Sequence, residues 1–250
     1  MEKIDLTRVP EHIAIILDGN GRWAKNRMLP RNYGHRKGAF NINKVATYCE
    51  EIGVKYLTLY CFSTENWTRP EKEVEYIMEG PIRLFGRLKK QIKNSNTRWK
   101  IIGRRDRINK ELLDLINELE EETKDKKGLT LTICFDYGSY EEITQAVKKI
   151  AKDCVDKKIN PEDITPELIE NNLYTAGYPK LDLLIRTSGE QRISNFLLWQ
   201  IAYSEFYFTN VLWPDFDKEE LYKAIASYQK RDRRFGGLND SKKNWTTRIL

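Results

Sequence analysis

The sequence is short of the residues that build metal centres and disulfide frameworks. Its four cysteines, Cys49, Cys61, Cys134 and Cys154, are widely spaced, none in a C-x-x-C pair, and its two histidines are His12 and His35. Neither a Cys/His zinc site nor a disulfide framework is expected. No apolar run approaches the ~20 residues that span a bilayer. The N-terminal MEKIDLTRVPEH lacks the basic-then-apolar order of a signal peptide. No repeat, low-complexity tract or Pro/Gly/Ser-rich linker interrupts the chain. These absences point to a soluble, cytoplasmic protein built as a single domain over residues 1–250, with 1–11 as a lead-in and 238–250 as a tail.

What is present is an ordinary globular balance, 40% hydrophobic and 32% charged, in a chain long enough for one large core. Lys and Arg exceed Asp and Glu by 43 to 37, a net charge of +6. That surplus suits an anionic small ligand, an anionic membrane surface or nucleic acid, and does not choose among them. No nucleic-acid-binding module is visible, so nucleic acid is not an expected partner.

Short β-like runs at 12–17, 54–61, 99–102, 129–135, 181–185 and 206–208 alternate with helical patterns. Several, such as YLTLYCF and LDLLI, are nearly continuous apolar stretches, the pattern of strands covered on both faces. Between them, 38–52 places Phe40, Val45, Cys49 and Ile52 along one side, with Gly53 as the stop. Ile108, Leu112, Leu115, Ile116 and Leu119 form a second apolar stripe. Ser139 with Glu142 reads as a capping box, and Thr165-Pro166 as an N-cap followed by proline at the first helical position. The alternation predicts an α/β fold, a central, mainly parallel six-stranded sheet flanked by helices, with ligands beyond the carboxyl ends of the strands.

The unusual residues collect at those ends. After the first strand comes Asp18-Gly19-Asn20-Gly21-Arg22-Trp23-Ala24. Two glycines permit a tight turn whose N–H groups can cradle phosphate, Arg22 can grip phosphate bidentately, and Asp18 can hold Mg2+ beside it. Gly19-x-Gly21-x-x-Ala24 also fits the dinucleotide fingerprint formally. That fingerprint needs an acid about 20 residues on at the end of the second strand; here Gly38-Ala39-Phe40 and Cys61-Phe62 stand instead. A plain strand–helix turn with a surface aspartate is the alternative. Arg31 and His35 follow among Arg36 and Lys37, where anion contact and a structural histidine are both open readings. The second strand runs into Ser63-Thr64-Glu65-Asn66-Trp67-Thr68-Arg69, which packs hydroxyls, acid, amide, indole and guanidinium into one loop. Glu71, Glu73 and Glu75 read as helix-start acids. The fifth strand exits through Arg186, Glu190, Arg192, Ile193 and Ser194, able to converge on a second anion, and Glu205 lies near the last strand. The run from Lys230 to Gly237 reads by itself as a solvated basic face.

HIAIILDGNGRWA, YCFSTENWTRP, LLIRTSGEQRISNFLLWQ and WPDFD resemble, in order, the motifs of the cis-prenyltransferases, in particular the bacterial undecaprenyl diphosphate synthases. The resemblance spans 12 to about 237. It departs where Leu17 replaces a frequent methionine and where Gly138-Ser139-Tyr140 replaces Gly-Gly-Arg, which removes a basic side chain. The DDxxD motif of trans-prenyltransferases is absent, in agreement.

The resemblance implies condensation of isopentenyl diphosphate onto an allylic diphosphate, usually farnesyl diphosphate, with Z geometry and Mg2+. Asp18 is then the catalytic acid and metal ligand, with Glu205 assisting the metal. Gly19, Asn20, Gly21, Arg22, Arg31 and His35 hold the allylic diphosphate beside Trp23. Ser63, Thr64, Glu65, Asn66, Trp67 and Arg69 line the reacting region, and Arg186, Arg192, Ile193 and Ser194 hold isopentenyl diphosphate. The family often gives Asn66 the proton. A neutral amide is a very poor base, so Asn66 is expected to position substrate while His35 or released diphosphate accepts the proton. The resemblance further implies a homodimer, with the 231–237 segment reaching the partner's site, and an apolar product tunnel lined by the sheet and 76–84. The lipid product implies peripheral contact with the inner membrane surface.

Overall fold

His12-Ile13-Ala14-Ile15-Ile16 carries no polar alternation, and every residue of it is buried. Ile13 and Ile15 enter one core while Ala14 and Ile16 enter another, so this strand is covered on both faces. The computed structural model describes residues 2–231; the side chains at 84–91 lie outside that description. Six strands, β1 (His12–Ile16), β2 (Tyr56–Ser63), β3 (Arg98–Ile102), β4 (Thr130–Tyr137), β5 (Leu183–Arg186) and β6 (Glu205–Phe208), form one sheet in the order β3-β4-β2-β1-β5-β6. All its pairings are parallel, so the architecture is a single α/β domain as predicted.

The helices are α1 (Asn20–Lys25), α2 (Arg31–Glu51), α3 (Glu71–Asn94), α4 (Lys110–Thr123), α5 (Ser139–Val155), α6 (Pro166–Glu170) and α7 (Lys218–Gln229). Val45 and Cys49 of α2 and Leu221 and Ile225 of α7 pack on Ile13, Ile15, Leu57, Leu59 and Ile185. Towards β3, Leu112, Ile116 and Leu119 of α4 join Val74 and Met78 of α3 on the same face. The opposite face buries Tyr60, Cys134 and Leu184 under Phe196 and Leu197.

Two local expectations are corrected. The second helix begins at Arg31 rather than at 38. Gly34 and Gly38 lie inside it because it crosses the β1–α1 loop closely. A Cβ at Gly34 would sit 1.9 Å from the Asn20 carbonyl oxygen, and one at Gly38 2.2 Å from Asn20 Oδ1. The helix does stop at Gly53, whose φ is 90°. Ser139 and Glu142 do not form a capping box: Gly138 is the cap, Ser139 Oγ accepts from the Leu198 N–H, and Glu142 accepts from Tyr137 Oη and the Tyr174 N–H. Both side chains are used for tertiary contacts. Thr165 caps α6 with Pro166 at its first position, as predicted.

The chain passes from β1 to β2 on one side, and β5 later docks on the other side of β1. Connections that diverge in this way leave a crevice at the carboxyl ends of β1 and β5.

Candidate active site

Gly19 ends β1's exit loop with a φ of 108°, and a Cβ there would press to 2.9 Å of the Leu212 side chain, so glycine is required on both counts. The Asp18 carbonyl accepts from the Trp213 N–H and from Thr187 Oγ1, at 3.0 and 2.7 Å. These bonds fix the acid's backbone between the WPDFD segment and the β5 exit. Its carboxylate accepts from Arg186 Nη2 at 3.0 Å, with Arg22 Nη2 at 3.5 Å. Burial pushes the Asp18 pKa up, but bonds and charge from Arg186, a bond from Ser188 and the Arg22 charge outweigh it and hold the group below its ordinary value.

Arg186 is buried. Its Nη1 donates to Ser194 Oγ at 2.9 Å and to the Arg192 carbonyl, and its buried Nε has no hydrogen-bond partner among the described residues. Arg22 donates to the Ser188 carbonyl and hydroxyl and faces Glu190 at 3.4 Å, while Arg192 pairs with Glu190 at 2.5 Å. Ser188, Ser194 and Asn195 have φ of 75°, 50° and 60°. With Leu197 at 48°, four non-glycine residues between β5 and β6 stand in the left-handed region, which marks a segment held in shape by its surroundings.

Glu73, read from sequence only as a helix-start acid, is a hub. Its Oε1 lies 3.2 Å from Arg31, 3.1 Å from His35 Nε2 and 3.2 Å from Arg69. Burial would raise its pKa, but Arg31, Arg69 and His35 together lower it. Burial lowers the pKa of His35, and Arg69 and Arg31 add to that against the pull of Glu73. A neutral imidazole facing a carboxylate must donate from Nε2, which leaves the lone pair on Nδ1.

After β2, the short 3-10 helix Thr64–Thr68 is closed by a reciprocal cap in which the Ser63 N–H donates to Asn66 Oδ1 at 3.2 Å. Asp18, Gly19, Asn20, Gly21, Arg22, Arg31, His35, Ser63, Asn66, Arg69, Arg186, Arg192 and Ser194 line one cavity of about 410 Å3. Thr64, Glu65 and Trp67 are not on that lining: Glu65 accepts from Asn195 Nδ2, and the Trp67 indole donates to Asp136. Trp23 turns away to Asp215, and Ile193 packs beside the core. Glu205 is not brought to Asp18. It stands at the amino end of β6 opposite Leu183, about 10 Å before the level of Arg186 at ~3.3 Å per residue, and pairs with Arg231. Beyond Arg231, the basic run and the tail lie outside the described residues.

A second cavity of about 360 Å3 lies between the sheet and α2, α3 and α4. Leu17, Asn20, His35 and Cys61 line both cavities, so the apolar chamber meets the charged one. Gly80 and Pro81 flank it on α3, with Ile133 and Phe135 on the sheet and Leu112, Leu115, Ile116 and Leu119 on α4. Leu129 and Leu131 are core residues and do not reach it.

No cluster of three His, Cys, Asp or Glu side chains that could hold a metal occurs among the described residues. Mg2+ does not need one: it is commonly bound by one or two carboxylates together with substrate phosphates. A lone Asp18 on a cavity rimmed by arginines fits that mode.

An arginine-lined crevice at the sheet's switch point, adjoining an apolar chamber, is a site shaped for molecules with an anionic head and a hydrocarbon tail. The family model described as putative undecaprenyl diphosphate synthase, a prenyltransferase family, matches residues 16–236. An isoprenyl transferase of Staphylococcus saprophyticus is 51% identical over 94% of this chain and 92% of its own. One from Streptococcus pneumoniae is 50% identical, covering 93% and 94%. Among solved structures, lavandulyl diphosphate synthase from Lavandula x intermedia, in complex with dimethylallyl diphosphate, superposes with a TM-score of 0.87 at 36% identity, covering 92% of this chain and 99% of that one. A probable undecaprenyl diphosphate synthase from Campylobacter jejuni superposes at 0.75 and 30%, covering 91% and 98%. The chain belongs to this prenyltransferase family, and it is a prenyltransferase.

Proposed function

We propose that the enzyme adds isopentenyl diphosphate units in Z geometry to farnesyl diphosphate, giving a long polyprenyl diphosphate of about undecaprenyl size for the cell-wall carrier lipid. The observation that carries this reading is the junction of the two cavities at Leu17, Asn20, His35 and Cys61. A diphosphate among the arginines would leave its hydrocarbon directed into the apolar chamber.

The loop 18–22, with Arg31 and His35, takes the allylic diphosphate; Arg186, Arg192 and Ser194 take isopentenyl diphosphate. Breaking the allylic carbon–oxygen bond places negative charge on the departing diphosphate, and the guanidiniums of Arg22 and Arg31 stand fixed where it develops. Asp18 would hold Mg2+, which when bound neutralises charge on the diphosphate oxygens. Asn66 orients the reacting groups. The proton lost from the isopentenyl unit goes to His35 Nδ1 or to diphosphate, in line with a neutral imidazole on the cavity wall.

The enzyme works as a homodimer in the cytoplasm and touches the membrane surface through its product. No helix among the described residues is long and apolar enough to cross a membrane. A non-catalytic subunit of the same fold would have lost the Asp18 loop or the Arg186–Ser194 block, and both are intact. Incubation with Mg2+, farnesyl diphosphate and labelled isopentenyl diphosphate, with the product sized by chromatography, tests the reading. A long product that disappears with a chelator supports it; a product of one or two additions favours a short-chain synthase, and none at all defeats it.

A further inference from the structure

Asp136 lies near the end of β4, inside the apolar run Leu129 to Phe135 and Tyr137, and is fully buried. Burying a carboxylate is costly unless it is paired and hydrogen-bonded. Its partners come from two other strand ends. Trp67 Nε1, on the 3-10 helix after β2, donates to Oδ1 at 2.8 Å. Arg107, on the loop after β3, donates through Nε to Oδ2 at 2.9 Å and through Nη2 to Oδ1. The Arg107 guanidinium also lies 5.1 Å from the centre of the Trp67 ring, so the three groups contact one another in a closed triangle.

The backbone is shaped to permit this. Asp136 has a φ of 49°, an uncommon value for a non-glycine residue, and β2 and β4 shift register on either side of Phe62. Gly103, with φ of 130°, lets the β3 exit pass over β4: a Cβ there would lie 2.1 Å from the Phe135 carbonyl oxygen. The Arg104 N–H then donates to the Asp136 carbonyl at 3.0 Å, which fixes the loop that delivers Arg107. None of the three side chains lines the charged cavity. The segment they hold does: Asn66 and Arg69 flank Trp67 and are both on its wall.

We infer that Asp136 is a positioning residue for prenyl transfer. With Arg107 it forms a buried clamp on the Trp67 indole, and through that grip it sets Asn66 and Arg69 against the substrates. The inference rests on the prenyl-transfer reading of the cavity. A misplacement of about 1 Å at such a wall costs up to ~100-fold in rate, so the clamp acts on turnover without touching substrate.

The test uses the full-length enzyme, Asp136→Asn, Trp67→Phe and the double variant, with kinetics and the indole N–H resonances of 15N-tryptophan-labelled protein. The Trp67 signal, identified by its loss in Trp67→Phe, should move in Asp136→Asn as its charged acceptor is lost. Each single variant should lose about tenfold or more in kcat while remaining folded at the assay temperature. The double variant should be no more than about twofold worse than the weaker single, because both substitutions open the same clamp. Near wild-type turnover in either single variant would overturn the assignment, and so would losses that multiply in the double variant or merely follow the melted fraction. If Asp136→Asn does not fold, Trp67→Phe alone decides through its kcat. An inactive wild-type enzyme would instead defeat the prenyl-transfer reading itself.

Discussion

Arg186 and Asp18 are 168 residues apart in sequence, yet Arg186 Nη2 donates to Asp18 Oδ2 at 3.0 Å across the switch point of the sheet. The meeting follows from register. Ile16 of β1 pairs with Arg186 of β5, so the acid two residues beyond Ile16 falls beside the guanidinium. One side chain belongs to the loop assigned to the allylic diphosphate and the other to the loop assigned to isopentenyl diphosphate, so this bond is where the two halves of the site join.

Asp18→Ala should therefore abolish turnover while leaving the fold intact. A carboxylate does not itself stabilise the negative charge on the departing diphosphate; Asp18 acts through the Mg2+ it would hold, and without that neutralisation of charge the loss should reach at least ~100-fold. Arg186 keeps Ser194 and the Arg192 carbonyl, so the buried cation is not stranded. Product formation at saturating Mg2+ and far-UV circular dichroism check this; a near wild-type rate would overturn the role given to Asp18.

Arg31 and Arg192 line the same cavity from different elements, Arg31 on α2 tied to Glu73 and Arg192 on the β5 exit tied to Glu190. Arg31→Ala should weaken farnesyl diphosphate more than isopentenyl diphosphate, and Arg192→Ala the reverse, each by about tenfold as expected for a lost charge-assisted contact. Measured KM values for both substrates in both variants decide. Equal losses would mean one shared anion site.

Acid should weaken the fold through His12. The ring is buried, with Nε2 at 2.8 Å from Thr58 Oγ1 and Nδ1 donating to the Pro179 carbonyl, and burial pulls its pKa from 6.5 down to about 4. The unfolded chain therefore binds the proton first as pH falls. Stability from this group is complete above pH 6.5 and drains away as pH falls towards about 4, at up to ~1.4 kcal/mol per pH unit. Urea unfolding between pH 7 and 4 should show that slope, made shallower in His12→Gln. His35, also lowered by burial, contributes in the same direction and remains in the variant.

Much of this was legible in the sequence, for identifiable reasons. The six strands stood out because a sheet covered on both faces needs unbroken apolar runs, and the loop at Asp18 because only glycine fits its turn. The start of the second helix was read seven residues late, at 38, because Gly34 and Gly38 are points of close approach to Asn20, a contact between elements that periodicity does not encode. Glu73 gave no sign of joining three partners, since its role exists only once α3 lies against α2. Glu205 was expected to assist the metal on the strength of the resemblance, yet it stands at the amino end of β6. In a parallel sheet that position is the end away from the crevice. Asp136 did carry a signal, a lone acid in an apolar strand, which must be partnered if buried.

Product length should respond to Gly80. It lines the apolar chamber from α3, and a Cβ built on it meets nothing within 4 Å, so a larger side chain is admitted without a clash at its root. Phenylalanine there would project into space the growing hydrocarbon is proposed to fill. Each CH2 kept in the chamber contributes roughly 0.8 kcal/mol, so losing room for a five-carbon unit makes retention for another addition less favourable than release. Gly80→Phe should shift the product distribution to shorter chains while the first addition to farnesyl diphosphate keeps its rate, because Gly80 is not on the charged cavity. Leu119 of α4 should act in the opposite sense: it lines the chamber, so Leu119→Ala enlarges it and should lengthen the product. Thin-layer chromatography of the dephosphorylated products reads both effects. An unchanged distribution in Gly80→Phe would mean that the hydrocarbon takes another route out of the charged cavity.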